Sequence, residues 1–342
     1  MTTVKHAHQE SLARDRAMVA AASLPMVDRL STLSLSESPS QPLAIGADAC
    51  IRRQWPVNGD NNPLPYDPPI VFINWPSERM IALPNQMLAL NYSHLGQQVF
   101  VVDRAGHLLH TLPQSADRRI TDLCVTADGC LAVLLEWRNH WELMAYSSDF
   151  NQQCRIVCSE DHGGPRWVIG GEGTAYINQP TKVAVDRYGN FYLLTAFERR
   201  IDVFTPSGAL LRTIRTDGLD GAEHMAVSGD RLVVIRSDGL LTSYTLEGVR
   251  KAAVCCNTAL VGSRVKRIAD IAGCAGDQVV VSAAGKDNGL HQEHCEYLVV
   301  FSGTTLQLQQ VIVEYCLAGS VCIDQHGHLV AEDDDGQLLE IY

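Results

Sequence analysis

The sequence predicts an all-β fold, a six-bladed β-propeller of four-stranded antiparallel blades, and three observations carry that prediction. The stretch Gln179–Arg215 holds four short β-runs separated by turn residues. The same rhythm returns along the chain at a spacing of roughly 35–50 residues, as an internal repeat does. An Asp/Gly-rich turn follows the first strand of all but the first unit: ADG at 127–129, RYGN at 187–190, SGD at 228–230, AGD at 275–277 and QHG at 325–327.

Residues 1–41 lie outside this rhythm and are expected to form a flexible or partly helical N-terminal segment. Lys5–Ala22 is rich in helix formers, with Leu12, Asp15 and Val19 at helical spacing, and Ser31–Pro42 has the Ser/Pro content of a linker. This segment is either a tail or a docking element. Residues 42–69 read as an irregular lead-in, with Pro, Asn and Asp gathered at Asn58–Pro69 and a candidate strand at Cys50–Trp55. Ile70–Trp75 (IVFINW) is the more apolar candidate strand, and the propeller is expected to span 70–342.

The first unit, Arg79–Leu112, contributes MIAL, MLALNY, QVFVVD and HLLHTL, with Pro84–Asn85 in place of the usual turn. Arg119–Ser159 gives DLCVTADG, CLAVLLE, WELMAY and QQCRIV. In the third unit the runs are Val183–Val185, Phe191–Thr195, Ile201–Phe204 and Leu210–Ile214, rich in β-branched and aromatic residues. Ala222–Val254 and Arg267–Val313 repeat the pattern, the latter with an insertion at Gly285–Glu293. Ala318–Tyr342 supplies only three strands. An open propeller leaves an unpaired sheet edge, so an N-terminal strand is expected to complete the last blade. The expected clasp is Ile70–Trp75 against Gln337–Tyr342, with Cys50–Trp55 as the alternative strand.

The third unit resembles an NHL repeat, through Pro180, Val183–Asp186, Gly189–Asn190, Arg200–Ile201, Phe204 and Gly208. The other units keep the strand rhythm and lose several of these residues. What the resemblance implies is a fold, over about residues 70–342, since function resides in sites grafted onto folds.

Propeller sites gather where the innermost strands converge. Aligning the six first strands on their apolar cores places Arg79, Asp122, Lys182, His224, Asp270 and Ser320 at equivalent positions, just ahead of each core. NHL-type repeats commonly carry Gly there. One reading makes these six local polar groups at a wet rim, the other a binding or catalytic cluster whose members shift one another's proton affinities. Under the second, His224, Asp122 and Asp270 are the candidate catalytic residues and the candidate ligands of a divalent metal. NHL-like amidating lyases and gluconolactonase-type propellers use channel metals, but their own ligand sets do not recur here. Alternatively Arg79 and Lys182, with Ser320, bind an anionic ligand while His224 or an Asp handles a proton.

Other constellations carry less. His291, His294, Cys295 and Cys274 lack a complete four-ligand zinc pattern, His326 and His328 flank a turn, and Glu332–Asp335 reads as a solvated acidic run. Cys255–Cys256 are taken as structural. The glycines around Arg166–Trp167 match no phosphate loop, and neither a nucleophile elbow nor a dinucleotide fingerprint occurs.

The net charge of −12 opposes nucleic acid and anionic membrane as partners. The apolar run Ala17–Val27 is broken by Ser23 and Pro25, which argues against a signal peptide or a membrane span. Eleven cysteines without a disulfide framework point to a reducing, cytoplasmic setting. The expected function is a non-catalytic interaction scaffold of NHL-like type, with another protein or a small-molecule ligand held at the channel rim or loops. The competing class is an enzyme, a lyase or hydrolase, metal-dependent in one form, with its site at the channel mouth.

Overall fold

The computed structural model describes residues 51–54, 79–92, 98–103, 107–112, 118–137, 140–150, 153–158, 180–256, 263–273, 276–287, 295–314, 317–324, 326–333 and 338–341. Expectations for the N-terminal segment, for Ile70–Trp75, for Trp167 and for His291 and His294 lie outside these residues.

The chain is a β-propeller of four-stranded antiparallel blades. Five sheets are meanders of consecutive strands. Blade 1 comprises β2 (Arg79–Leu83), β3 (Met87–Tyr92), β4 (Gln98–Val102) and β5 (Leu108–Leu112). Blade 2 has β6 (Arg119–Val125), β7 (Leu131–Trp137), β8 (His140–Tyr146) and β9 (Gln153–Cys158). Blade 3 has β10 (Lys182–Val185), β11 (Phe191–Thr195), β12 (Arg200–Phe204) and β13 (Leu210–Arg215). Blade 4 has β14 (Ala222–Ser228), β15 (Arg231–Arg236), β16 (Leu240–Thr245) and β17 (Arg250–Cys255). Blade 5 has β18 (Ser263–Gly273), β19 (Gln278–Asp287), β20 (Cys295–Ser302) and β21 (Leu308–Glu314).

A sixth sheet joins β22 (Leu317–Ile323), β23 (Leu329–Asp333) and β24 (Leu338–Ile341) to β1 (Ile51–Gln54) in the order β1-β24-β23-β22. The strand beside β24 is therefore β1, with Ile51 opposite Ile341 and Gln54 opposite Leu339. This corrects the clasp: the expected pairing partner, Ile70–Trp75, gives way to the alternative within Cys50–Trp55. The reason is that β24 has one free edge, and β1 takes it. Backbone pairing at a sheet edge does not require an apolar sequence, so the polar IRRQ serves.

The innermost strands run side by side in a cycle, β2 to β6, β10, β14, β18, β22 and back to β2. Between each consecutive pair of blades lies one apolar cluster. The middle strands feed two clusters at once because successive side chains point to opposite faces. On β15, Leu232 and Val234 pack toward blade 3 while Val233 and Ile235 pack toward blade 5. This explains why such strands read as unbroken apolar runs (LVVI, QVVV, YLVVF) rather than as alternation. Blade 6 meets blade 1 through Cys322 and Val330 against Met80, Leu88, Leu90, Phe100 and Val102.

The two faces of the propeller are built differently. One is tiled by a repeated five-residue hairpin turn. In 126–130, 186–190, 205–209, 245–249 and 324–328 the first residue's N–H bonds the fifth's carbonyl, and its own carbonyl accepts the fourth's N–H. The fourth is Gly with positive φ, 84° at Gly129 and 93° at Gly248, as a type I turn followed by a left-handed residue requires. In the third unit, buried Asp186 accepts the N–H groups of Tyr188 and Asn190, the Asn190 amide and the Tyr192 hydroxyl. At 126–130, 186–190 and 324–328 the Asp and Gly punctuation of the sequence is this turn chemistry. On the other face the connections include 196–199, 216–221 and 237–239, which differ in length.

Candidate functional site at the channel mouth

The predicted rim residues sit at the variable-loop end of the innermost strands. Arg79 and Lys182 open β2 and β10. Asp122, His224 and Asp270 each follow a β-bulge, between Ile120 and Asp122, Ala222 and His224, and Ile268 and Asp270. Ser320 lies in the bulged segment of β22 between Leu317 and Val321. A bulge adds one residue to its strand and re-aims the following side chain. Three of the six rim side chains are turned to their positions in this way.

Four of the six are brought together. The Arg79 guanidinium bridges two carboxylates from different blades: Nε lies 3.0 Å from Asp122 Oδ1, and Nη1 donates to Asp270 Oδ1. The Arg79–Asp122 contact is an ion pair without hydrogen-bond alignment, since neither Nε nor Oδ1 is hydrogen-bonded. His224 Nδ1 is 3.6 Å from Asp270 Oδ1, too long for a hydrogen bond. Both carboxylates are almost fully buried, at 0% and 1% exposure.

Each carboxylate also holds the next blade. Asp122 Oδ2 accepts the N–H of Val183 at 2.8 Å, and Asp270 Oδ2 accepts that of Val321 at 3.2 Å. Val183 and Val321 are the residues after Lys182 and Ser320, so the two contacts are the same contact made at two blade junctions. Asp270 Oδ1 further accepts the N–H of Ile271 at 2.8 Å.

Burial drives the Asp270 carboxyl upward, but Arg79 above all, then His224 and Lys182, hold it down at about 2. Burial lowers the proton affinity of Arg79, and Asp122 and Asp270 more than offset this, so it stays charged. The buried thiols of Cys124 and Cys322 flank the guanidinium, and burial pushes both well above the usual thiol range. Cys256, also buried, is pushed up to about 12. These thiols pack as small apolar groups.

Lys182 is half-buried, and among the described residues its ammonium has neither a hydrogen bond nor an ion pair. Ser320 is buried. Two polar residues of the second strands belong to the same neighbourhood and were not singled out from sequence. Asn91 stands opposite Arg79 and Ser282 opposite Asp270, both buried, and Ser282 Oγ donates to the Gly319 carbonyl at 3.2 Å. Their signal is a polar residue interrupting an apolar second strand, in MLALNY and QVVVSAA.

The trio His224, Asp122 and Asp270 does not fit a metal. The Arg79 cation lies between the two carboxylates, and among the described residues no group of three His, Cys, Asp or Glu could hold an ion. Elsewhere, His328 Nδ1 meets Asp324 at 3.1 Å in its hairpin turn, with His326 beside it on the surface. No helix among the described residues is long and apolar enough to cross a membrane.

No family model matches the chain, and no curated protein matches its sequence. Its backbone is similar to several solved propellers. Virginiamycin B lyase from Staphylococcus aureus is 10% identical, with 78% of this chain and 94% of that one covered at a TM-score of 0.48. The WD40 propeller domain of Doa1 is 13% identical, with 77% and 78% covered at 0.48. A protein of unknown function from Bacteroides caccae is 12% identical, with 70% and 82% covered at 0.49. These likenesses concern the path of the backbone, and the propeller assignment rests on the sheet order of the chain itself.

Proposed function

We propose that this chain is a non-catalytic binding scaffold, a sealed ring of six blades that engages a protein partner through its variable-loop face at the channel mouth. One observation carries the reading. Three ionisable groups at the channel mouth, Arg79, Asp122 and Asp270, are committed to one another and, through the carboxylates, to backbone N–H groups of neighbouring blades. That is the use of charge expected of a lock that rigidifies a platform, since a general acid or base must be free to exchange its proton with substrate. The pairing of β1 with β24 supports closure, because it joins distant parts of the chain in one blade. The loop face supplies the variety a recognition surface needs, whereas five hairpins of the opposite face repeat one turn. Phe197, 76% exposed in the β11–β12 connection, is an apolar anchor on the loop face.

Crosslinking mass spectrometry with the full chain as bait in its native extract tests this. Crosslinks are expected at 196–199, 216–221 and 237–239, lost with Phe197→Asp and kept with Tyr188→Asp on the opposite face. Equal loss with both variants would refute the assignment of the face. A turnover that stops in His224→Gln while the protein stays folded would overturn the non-catalytic reading.

A further inference from the structure

We propose that the outer edge of blade 3, where it meets blade 4, docks an extended acidic segment of a partner protein, which adds to β13 as a fifth strand. This surface is separate from the loop face and stands without the scaffold reading.

β13 is the last strand of its sheet, so one row of its backbone N–H and C=O groups faces away from β12. Its bulge lies at Leu211, the turn end, and Arg212–Arg215 keep regular register with Val203–Arg200. Four residues are thus open to pairing with an added strand. The turn end of this edge is also apolar. Leu210 and Leu211 are 49% and 50% exposed, and Val249 of blade 4 is 56% exposed. Two contacts hold the 245–249 turn against β13. Arg212 Nη2 donates to the Leu246 carbonyl at 2.8 Å, and a Cβ on Gly248 would lie 2.5 Å from Ile214 Cγ2. Leu211 precedes Arg212 and Val249 follows Gly248, so the three side chains stand at one junction. Three of the eight large apolar side chains exposed among the described residues gather there, which singly scattered surface residues do not do.

Charge sets the class of partner. The chain carries −12 overall, yet residues 180–256, blades 3 and 4, hold ten Lys and Arg against nine Asp and Glu. Of the five Lys and Arg on the outer strands of blades 1 to 5, four lie on β13 and β17, which have no carboxylate. Arg215, Arg250 and Lys251 are exposed, and among the described residues they make no hydrogen bond or ion pair. Cations on an edge strand repel the same edge of a second copy and accept a strand that carries carboxylates. A long polyanion would also meet the acidic remainder of the chain, so a short acidic segment is favoured over nucleic acid or anionic lipid. Apolar side chains alternating with its carboxylates would cover Leu210, Leu211 and Val249.

The test uses the full chain and a capped octapeptide of alternating Glu and Val, followed by fluorescence anisotropy. Binding is expected with a dissociation constant on the order of 10–100 μM at low salt, and β13 amides should gain protection from hydrogen exchange. N-methylation of alternate peptide residues should weaken binding by about tenfold or more, because the donors of one edge are lost. Leu211→Asp should weaken it by about tenfold with melting unchanged, whereas Phe197→Asp on the loop face should leave it as it is. Arg215→Glu should weaken the Glu/Val peptide by about fivefold or more and admit a Lys/Val peptide that the wild type rejects. That exchange is a gain of binding, so it decides the matter even if Leu211→Asp proves unfolded. No binding by about 1 mM, full affinity of the N-methylated peptide, or indifference to Arg215→Glu would overturn the proposal. A stronger response to a thymidine oligonucleotide or to phosphatidylserine vesicles, lost in Arg215→Glu, would overturn it in favour of a phosphate-bearing partner. Self-association of the wild type, abolished by Leu211→Asp, would overturn it in favour of a second copy.

Discussion

Replacing Arg79 with methionine perturbs the channel mouth most sharply, and its cost can be worked from the structure. The substitution keeps most of the aliphatic stem and removes the cation shared by Asp122 and Asp270, exposed 0% and 1%. Breaking a buried ion pair from one side costs about 3–5 kcal/mol, because the remaining charge is left uncompensated. The depressed Asp270 carboxyl points to a cost of the same order. It sits at about 2 in the folded chain against 3.8 ordinarily, worth ~2–3 kcal/mol at about 1.4 kcal/mol per pH unit. Since burial alone would raise it, and Arg79 is the largest force lowering it, most of this is lost with the guanidinium. A destabilisation of about 3–5 kcal/mol at pH 7 is therefore expected from urea unfolding. The pH dependence gives the sharper reading. A carboxyl depressed in the folded state stabilises above its unfolded value, near 4, and that contribution disappears as pH falls toward 2. In the variant the buried carboxyls shift upward and protonate earlier. The gap between wild type and variant should narrow as pH falls from 7 to 4. Adding Asp270→Asn to the variant should restore part of the loss at pH 7. A cost below about 1 kcal/mol, or a gap that does not change with pH, would show that the guanidinium is solvated rather than shared between carboxylates.

Further outcomes follow from other parts of the ring. A chain ending at Gly336 lacks β24, which holds β1 and β23, and should lose cooperative melting; unchanged melting would refute closure through β1. Gly273→Ala should destabilise by about 2 kcal/mol or more in urea, because its Cβ would lie 2.1 Å from the Val227 carbonyl oxygen and force blades 4 and 5 apart. Asp186→Ala strips a buried acceptor from two backbone N–H groups and should cost about 2–3 kcal/mol by the same assay. Cys124, Cys256 and Cys322 should resist N-ethylmaleimide at pH 8 in the native chain, read by mass spectrometry, and react once urea unfolds it.

How far the sequence revealed this arrangement can be seen at particular residues. The hairpins were legible because the turn at 186–190 needs an Asp acceptor and a left-handed Gly, and both stand in the sequence. The rim positions were legible too, since Asp122, Lys182 and His224 each break an apolar strand at its start. Their partners were not. Arg79 reaches Asp270 across 191 residues of chain, and the bulges ahead of Asp122, His224 and Asp270 decide where those side chains point. No local pattern encodes such a bulge. The clasp misled for a related reason: Ile70–Trp75 is the more apolar segment, whereas the free edge of β24 selects by backbone hydrogen bonding and accepts the polar β1.

The central claim is that two buried carboxylates tie neighbouring blades together at the channel mouth. Amide hydrogen exchange at Val183 and Val321 tests it most directly, since their N–H groups bond to Asp122 and Asp270 rather than to a paired strand. Both amides should be strongly protected in the wild type. Asp122→Ala should release Val183 and spare Val321, and Asp270→Ala should do the reverse. Rapid exchange at both sites in the unmodified chain, or release of both by either substitution alone, would contradict the account.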